Sequence, residues 1–228
     1  MNHYVLEVVV ISVRRIYDTM FEQMGKQGWW PAETKCEIIV GAFLVQNTNW
    51  NNAVKALGNL REETRFIPEK INELKRDQLE MLIRPSGFYK NKAKGISTFF
   101  EWFEQYEYSY NRVNQIFEDN LRKELLTLYC VGKETADVML LYVFDRIVFI
   151  ADRYAQRLFS ELTNKTFDSY DDLKRYVNIQ GVLTLEEAKE FHGLIDEFGK
   201  EYFNRRNNFY NSFLTEERER YLEKGWSK

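Results

Sequence analysis

Residues 125–159 read LLTLYCVGKETADVMLLYVFDRIVFIADRYAQRLF, and they are the most informative part of the sequence. Its pattern predicts a helix end, a tight turn at Val131–Gly132, a second helix, a short loop and a new helix that starts at Asp152. Gly132 favours the turn because glycine reaches backbone angles that other residues avoid. The second helix is apolar nearly all round, as expected for a buried helix. Asp152 is a favourable helix N-cap, and capping alone would explain its presence.

Two parts of this stretch resemble the endonuclease III superfamily of base-excision DNA glycosylases, which is marked by a helix-hairpin-helix motif and a Gly/Pro-rich loop with an aspartate. The pattern L-x-x-V-G-x-x-T-A at residues 128–136 matches the hairpin, and I-A-D-R at residues 150–153 matches the loop that carries the family's catalytic aspartate. The separation of Glu134 from Asp152 (152 − 134 = 18) also fits the family. A hairpin pattern alone is weak evidence, whereas a hairpin with a correctly spaced aspartate is strong.

Length and composition set bounds on the fold. At 228 residues, with 44% hydrophobic and 29% charged residues, the chain fits one large or two small globular domains. A net charge of −3 gives no overall attraction to DNA, so any nucleic-acid site must be a local patch. Very little strand periodicity is present, which predicts an all-α fold. The pattern also predicts a helix over 5–24 that packs on the core, one helix over 68–82, and a charged, fraying segment over 205–228.

The cysteines argue against a metal site. Cys36 and Cys130 are far apart and outside any metal-ligand spacing, which indicates a reducing compartment. Many endonuclease III relatives hold an iron–sulfur cluster with four C-terminal cysteines, and no cysteine follows Cys130. We therefore expect no cluster, no bound metal and no other cofactor, with a monovalent cation at the hairpin as the one exception.

The apolar segment 4–13 does not predict membrane insertion. It is shorter than the roughly 20 residues that a membrane span needs, and the order of features in a signal peptide is missing. We expect a cytoplasmic, nucleoid-associated protein without membrane contact.

One branch of the superfamily is matched along most of the chain, from about Gly28 to Phe203. Its marks are W-W-P at 29–31, G-A-x-L-x-Q-N-T at 41–48, R-P-S-G-F-Y at 84–89, V-G-K-E-x-A-D at 131–137, and F-H-G at 191–193. These marks resemble the cluster-free 3-methyladenine DNA glycosylases of bacterial endonuclease III type. The resemblance implies a monomer that acts on damaged double-stranded DNA.

The same resemblance implies two helical lobes that flank an active-site cleft. The first is a six-helix barrel with the helix-hairpin-helix motif at residues 27–146. The second lobe combines residues 1–26 with residues 147–228 and contributes the catalytic aspartate.

Three tryptophans and a proline form the predicted base pocket: Trp29, Trp30, Pro31 and Trp50. Two tryptophans before a proline favour an extended loop, because the residue before proline avoids the helical region. Their rings either fill a domain junction or line a pocket in which a planar, cationic base stacks. Its position in the sequence fits Trp50 equally well as a pocket wall and as a core anchor.

Three segments are predicted to contact DNA. The resemblance implies that Gln46 enters the DNA stack where the target base leaves, and that Phe88 is the wedge opposite the flipped base. Cations interleaved with aromatic residues near Phe88 suit phosphate contact, although such a charged run is usually only a solvated face. The predicted DNA-binding residues are Gln46, Asn47, Phe88, Tyr89, Lys90, Lys92, Val131, Gly132 and Lys133.

Asp152 and Glu134 are the candidate catalytic residues. A carboxylate stabilises the oxocarbenium-like sugar that forms when an N-glycosidic bond breaks, and it orients the attacking water. A methylated purine is already a cationic leaving group and needs no general acid. Bifunctional relatives have a lysine at the position of Glu134, and Lys133 is rotated by about 100° on the helix. The sequence therefore predicts a monofunctional DNA glycosylase, a hydrolase of N-glycosyl bonds that does not cleave the strand.

The sequence leaves open the role of Glu134, the effect of two departures from the family pattern, and two alternative functions. Glu134 hydrogen-bonds the base or sugar, or is only a charge at a helix start. Cys130 replaces the usual first glycine of the hairpin, which bears on how well the hairpin amides reach a phosphate. Leu194 replaces a lysine that supports the base pocket in the matched branch, so the excised lesion is not defined. Alternatives are an endonuclease III-like glycosylase and abasic-site lyase for another lesion, or a non-catalytic DNA-structure-binding module. Asp152 argues against the module, since a pure binder gains nothing from an acid near phosphates.

Overall fold

The computed structural model describes residues 2–204 and 206–225, with side chains described for residues 13–204 and 206–223. Within these residues the chain forms thirteen α-helices, three short 3₁₀ turns and no β-strand, which confirms the predicted all-α fold. In chain order the helices are α1 (Asn2–Met24), α2 (Lys35–Leu44), α3 (Trp50–Thr64), α4 (Pro68–Asn72), α5 (Arg76–Leu82), α6 (Tyr89–Glu104), α7 (Tyr110–Phe117), α8 (Leu121–Leu125), α9 (Lys133–Tyr142), α10 (Arg153–Thr163), α11 (Tyr170–Tyr176), α12 (Leu185–Tyr202) and α13 (Thr215–Gly225).

The chain divides into two compact units. The central unit is Ala32–Arg146 and contains α2 to α9. The terminal unit joins the stretch that ends at Pro31 to the stretch that begins at Ile147, which places α1 with α10 to α13. The W-W-P loop therefore belongs to the same unit as Asp152, and the hairpin belongs to the central unit.

The core of the central unit is built around α2. Its residues from Cys36 to Leu44 are all buried, and the Thr34 hydroxyl caps the helix by accepting from the N–H of Glu37 at 3.1 Å. Helix α9 packs on α2 and is buried from Thr135 to Tyr142, as the sequence predicts. The ring of Phe43 is fully buried, and replacing such a ring with alanine costs about 3–5 kcal/mol of unfolding free energy.

An ion pair joins the two helices of the hairpin, α8 and α9. Arg122 donates from Nε and Nη2 to the two carboxylate oxygens of Asp137, at 2.8 and 3.1 Å. The Asp137 side chain is fully buried, so these paired hydrogen bonds offset the cost of burying its charge. The start of α9 is thereby fixed against α8.

Helix α12 is the centre of the terminal unit and packs on α1 and α10. Gly199 allows α12 to lie close to α10, because a Cβ at this position would lie 2.2 Å from Cδ1 of Tyr154. Arg14 of α1 donates to Glu187 of α12 at 2.8 Å. The predicted packing of the N-terminal helix on the core is seen from Val13 onward, and the side chains of residues 4–12 lie outside those described.

Two expectations about helices are wrong. The predicted helix over 68–82 is interrupted, because Lys75 adopts an extended conformation and its N–H donates to Oε1 of Gln78 at 3.2 Å to start α5. The charged segment after residue 205 was expected to fray, yet it contains α13. Arg218 anchors this helix by donating to the carbonyl of Glu161 on α10 at 2.9 Å. None of the described helices combines the length and apolar character that membrane crossing requires.

Candidate active site and DNA-contacting loops

Asp152 is the N-cap of α10, in the position that the sequence predicts. Its Oδ1 accepts from the N–H of Ala155 at 2.7 Å, so one carboxylate oxygen caps the helix. Its Oδ2 lies 3.5 Å from Nε2 of His192 on α12, and the side chain is only 12% exposed. Capping therefore accounts for one oxygen of Asp152, and the second oxygen faces an imidazole.

His192, the middle residue of F-H-G, is a member of this site to which the sequence pattern assigns no role. Its ring meets the ring of Trp29 edge-on, at a centroid distance of 6.0 Å and an interplanar angle of 75°. The next residue, Gly193, leaves room for Trp29, because a Cβ there would lie 2.5 Å from Cδ1 of the indole. The signal for this packing is a histidine followed by a glycine on the buried face of an amphipathic helix.

The W-W-P segment is a loop, as predicted, and α12 fixes it. Glu190 accepts hydrogen bonds from the backbone N–H groups of Gln27 and Gly28, the second at 3.2 Å. The two half-buried indoles of Trp29 and Trp30 are perpendicular, with centroids 5.6 Å apart. Pro31 is exposed.

An ammonium group lies next to this loop. Lys200 Nζ is 5.0 Å from the centroid of the Trp29 ring and forms ion pairs with Asp196 at 2.5 Å and Glu197 at 2.8 Å. Burial opposes the charge on Lys200, but hydrogen bonds to the two carboxylates raise its pKa above the ordinary value. Burial also raises the pKa of Asp196. The terminal unit thus brings Asp152, His192, Trp29 and Lys200 into one cluster.

Trp50 is the remaining member of the predicted base pocket. It is the first residue of α3 in the central unit and is half-buried. Its role as a pocket wall stays a prediction.

The hairpin turn in the central unit differs from the expectation. Gly132 has an ordinary extended backbone, with φ −86° and ψ 178°, and is the N-cap of α9. The left-handed residue is Cys130, with φ +63°, so the predicted conformational role of Gly132 is wrong. A Cβ at Gly132 would meet no atom of the chain within 4 Å, which leaves open space over the start of α9.

The hairpin residues differ in what they can offer to a phosphate. Val131 is buried and its N–H donates to the carbonyl of Leu128 at 3.2 Å, so its predicted amide contact with DNA is wrong. Gly132, Lys133 and Glu134 are exposed at the start of α9. A helix N-terminus of this kind attracts anions through its N–H groups and its dipole.

The structure brings Gln46 to the hairpin. Its Nε2 donates to the carbonyl of Cys130 and to the hydroxyl of Thr135, both at 3.0 Å. Asn47 follows in the left-handed region, with φ +51°, and is exposed. Insertion of the Gln46 side chain into DNA would therefore exchange these two hydrogen bonds for contacts with the duplex.

The predicted wedge loop presents an apolar tip. Gly87 and Phe88 both have positive φ, +67° and +46°, and the Phe88 side chain is 69% exposed. Tyr89 is half-buried and Lys90 is exposed. An exposed phenylalanine on a strained backbone is a candidate for insertion between bases.

The structure corrects one predicted phosphate contact, that of Lys92. Only 2% of this residue is exposed, and its Nζ donates to the carbonyls of Leu44 and Ser86 at 2.8 and 2.7 Å. Burial lowers the pKa of Lys92 to about 8. The prediction that Lys92 contacts DNA is wrong, because its ammonium group lies inside the central unit.

The family of the chain follows from comparison with known proteins. Residues 40–179, more than half of the chain, match the HhH-GPD superfamily of base excision DNA repair proteins. The chain belongs to this family and is a base excision repair DNA glycosylase, which confirms the interpretation of the hairpin and the spaced aspartate.

Three relatives illustrate the likeness. A Methanocaldococcus jannaschii protein, provisionally named a DNA repair glycosylase, is 38% identical over 197 residues, which cover 85% of this chain and 90% of that protein. The H. pylori 3-methyladenine DNA glycosylase, solved with 1,N6-ethenoadenine, has a TM-score of 0.70 and 26% identity and covers 84% of this chain and 97% of its own. A non-covalent endonuclease III–DNA complex has a TM-score of 0.71 at 20% identity, covers 94% of this chain and 98% of its own, and shares the fold.

Proposed function

We propose that this glycosylase hydrolyses the N-glycosidic bond of a flipped, N-alkylated purine such as 3-methyladenine and leaves the DNA strand intact. The main observation behind the proposal is the cluster of Asp152, His192 and Trp29, in which a fixed carboxylate oxygen is adjacent to an imidazole and the imidazole meets an indole ring edge-on. A cationic purine is attracted to an indole face. Because Lys200 already lies 5.0 Å from the centroid of the Trp29 ring, the alkylated base would stack on an indole face of Trp29 or Trp30 that this ammonium group does not cover.

Asp152 supplies the electrostatic part of the mechanism. Its capping bond to Ala155 fixes the carboxylate before substrate arrives, so no reorganisation is needed when positive charge develops on the sugar. The same carboxylate orients a water for attack. The alkylated base leaves as a neutral molecule, so the reaction needs no proton donor. Oδ2 of Asp152, the oxygen that does not cap the helix, lies 3.5 Å from Nε2 of His192.

Strand cleavage requires an amine that is neutral and accessible. Glu134 stands where bifunctional relatives have a lysine. Lys200 lies in the cluster of the terminal unit, but its carboxylate partners raise its pKa and keep it protonated. Lys92 has a lowered pKa but is buried. These properties support hydrolysis without a covalent intermediate.

The central unit supplies the proposed grip on DNA. Phe88 and Gln46 fill the space that a flipped base leaves, with Asn47 and Tyr89 beside them, which offsets the few kcal/mol that flipping costs. Lys90, Lys133 and the exposed start of α9 at Gly132 contact phosphates. The substrate class is supported by the H. pylori relative, whose name specifies 3-methyladenine.

The proposal includes a monomer in the nucleoid without an iron–sulfur cluster. A cluster needs four thiolates, whereas the chain has only Cys36 and Cys130, so its residues do not fit that group. A monovalent cation at the hairpin carbonyls is compatible with the proposed grip.

The test is base release from DNA treated with a methylating agent. We expect free methylated purines in solution and intact strands until alkali is added. Strand breaks without alkali, or release of a different class of base with none of the methylated purines, would contradict the proposal.

A further inference from the structure

We infer that Lys92 is a positioning residue that holds the two DNA-inserting loops of the central unit in register. The inference rests on the proposed roles of Phe88 and Gln46, but it concerns how these residues are held rather than which base is excised.

The geometry of the Lys92 ammonium is specific to the two loops. One acceptor is the carbonyl of Leu44, two residues before Gln46, and the other is the carbonyl of Ser86, two residues before Phe88. The donor–acceptor distances are 2.8 and 2.7 Å, which are short for N–H···O bonds and typical of charge-assisted ones. A single buried cation therefore connects the segments that lead into both candidate inserting residues.

Each carbonyl is one that its own backbone leaves in need of a donor. Leu44 is the last residue of α2, and the last carbonyls of a helix have no intrahelical partner. A cation at this end also complements the helix dipole. Ser86 is fully buried and ends a 3₁₀ turn directly before the two residues with positive φ.

The burial of Lys92 indicates a role other than contact with DNA. A buried ammonium group is retained at a cost, because its charge loses the solvation of water. Loss of Lys92 would leave both carbonyls buried without this donor and allow the two loops to move independently. We expect such movement to weaken the filling of the gap in a duplex more than the grip on phosphates.

Binding to an abasic analogue tests this without any dependence on base identity. The probe is a duplex with one tetrahydrofuran site, compared with the same strand alone. Lys92→Met should weaken duplex binding by about tenfold while changing single-strand binding by less than about twofold. The control is Lys94→Met, which removes an exposed cation from the same helix and should weaken both kinds of binding alike.

A double-mutant cycle separates positioning from a general structural role. If Lys92 acts through the wedge, Lys92→Met should have a much smaller effect on duplex binding in a Phe88→Ala background. Full additivity, or equal losses on duplex and single strand, would overturn the inference. Lys92→Gln keeps a donor and serves if the methionine variant does not fold. If both variants unfold, the role is structural and the inference fails.

A failure of the positioning role of Lys92 can be distinguished from a failure of the proposed function. A wild-type protein without preference for the duplex probe would overturn the inference together with the roles of Phe88 and Gln46. Base release, measured separately, would still decide the proposed reaction.

Discussion

The side chain of Asp152 has two oxygens in different surroundings, and this difference separates structure from chemistry. Oδ1 caps α10 through Ala155, whereas Oδ2 faces His192. Asparagine is as good an N-cap as aspartate, but it has no negative charge to stabilise an oxocarbenium-like sugar. Replacement by asparagine therefore removes one role and keeps the other.

We predict that Asp152→Asn reduces single-turnover base release by at least about a hundredfold, since a fixed charge at the transition state is lost. The melting temperature should change little, and DNA affinity should be equal or higher because a negative charge near phosphates is removed. Asp152→Ala is the matched variant that should lose both capping and catalysis. Undiminished turnover in the asparagine variant would show that Asp152 is a cap alone.

At three positions the structure differs from, or goes beyond, what the sequence predicts. The hairpin pattern placed the turn correctly, but it assigned the unusual backbone to Gly132 instead of Cys130, because glycine is the usual residue at positive φ. The neighbouring cations in the sequence predict DNA contact for Lys92, whereas its burial depends on packing that the sequence does not show. His192 and Asp152 are forty residues apart (192 − 152 = 40), and only the fold brings them together.

At the scale of elements, the continuous apolar run predicted α9 well, since this helix is buried from Thr135 to Tyr142. The break between α4 and α5 was missed because apolar residues continue at helical spacing across it. Helix α13 was missed because its sequence is strongly charged, and its anchor on α10 is a tertiary contact. Packing between elements, rather than local preference, decided both cases.

Glycines on helices allow a controlled test of packing. Gly193 lies against Trp29, whereas a Cβ at Gly58 in α3 would meet nothing within 4 Å. We predict that Gly193→Ala displaces Trp29, lowers the unfolding free energy by about 1–3 kcal/mol and reduces base release. Gly58→Ala should raise the unfolding free energy by about 0.5–1 kcal/mol, because alanine favours a helix. Denaturant unfolding measures the unfolding free energy of both variants, and tryptophan fluorescence reports the displacement of Trp29. A Gly193→Ala protein with the stability and fluorescence of the wild type would contradict the packing of Gly193 against Trp29.

The contact between α1 and α12 should be pH-dependent. The Arg14 hydrogen bond is the main cause that lowers the pKa of Glu187 from its ordinary 4.5 to about 2. The ionised carboxylate therefore stabilises the fold above pH 4.5, and this contribution is lost as the pH falls through 2. Glu187→Gln should be less stable than the wild type at pH 6, and the difference should shrink toward zero as the pH approaches 2.

The control for this pH dependence is the neighbouring Glu186→Gln, at an exposed position where the surface ion pair contributes little. Urea unfolding at several pH values measures the difference. A difference between wild type and Glu187→Gln that stays constant from pH 6 to pH 2 would contradict the assigned ion pair.

At the scale of the whole molecule, the two units carry different parts of the proposed reaction. The terminal unit holds the cluster of Asp152, His192 and Trp29, and the central unit holds the hairpin and the inserting loops. A net charge of −3 means that attraction to DNA comes from a few placed cations rather than from the protein as a whole. The division of roles predicts that changes at Asp152 in the terminal unit affect chemistry, whereas changes at Phe88 and Gln46 in the central unit affect binding.

The sharpest test of the whole mechanism is whether the protein ever bonds to DNA. Glu134 occupies the position of the family's lysine, Lys133 is rotated from it by about 100°, and Lys200 is held protonated by its carboxylates. We predict that borohydride reduction during turnover traps no complex, and that abasic product stays intact until alkali is added.

Glu134→Lys tests the same reasoning from the opposite direction. It should place an amine at the start of α9 within reach of the sugar and give weak but measurable trapping, while loss of the carboxylate slows base release. Lys133→Gln is the control, since it removes a neighbouring amine without restoring the family's lysine. A complex trapped with the unmodified protein and abolished by Lys133→Gln would show that Lys133 reaches the sugar and that the enzyme is bifunctional.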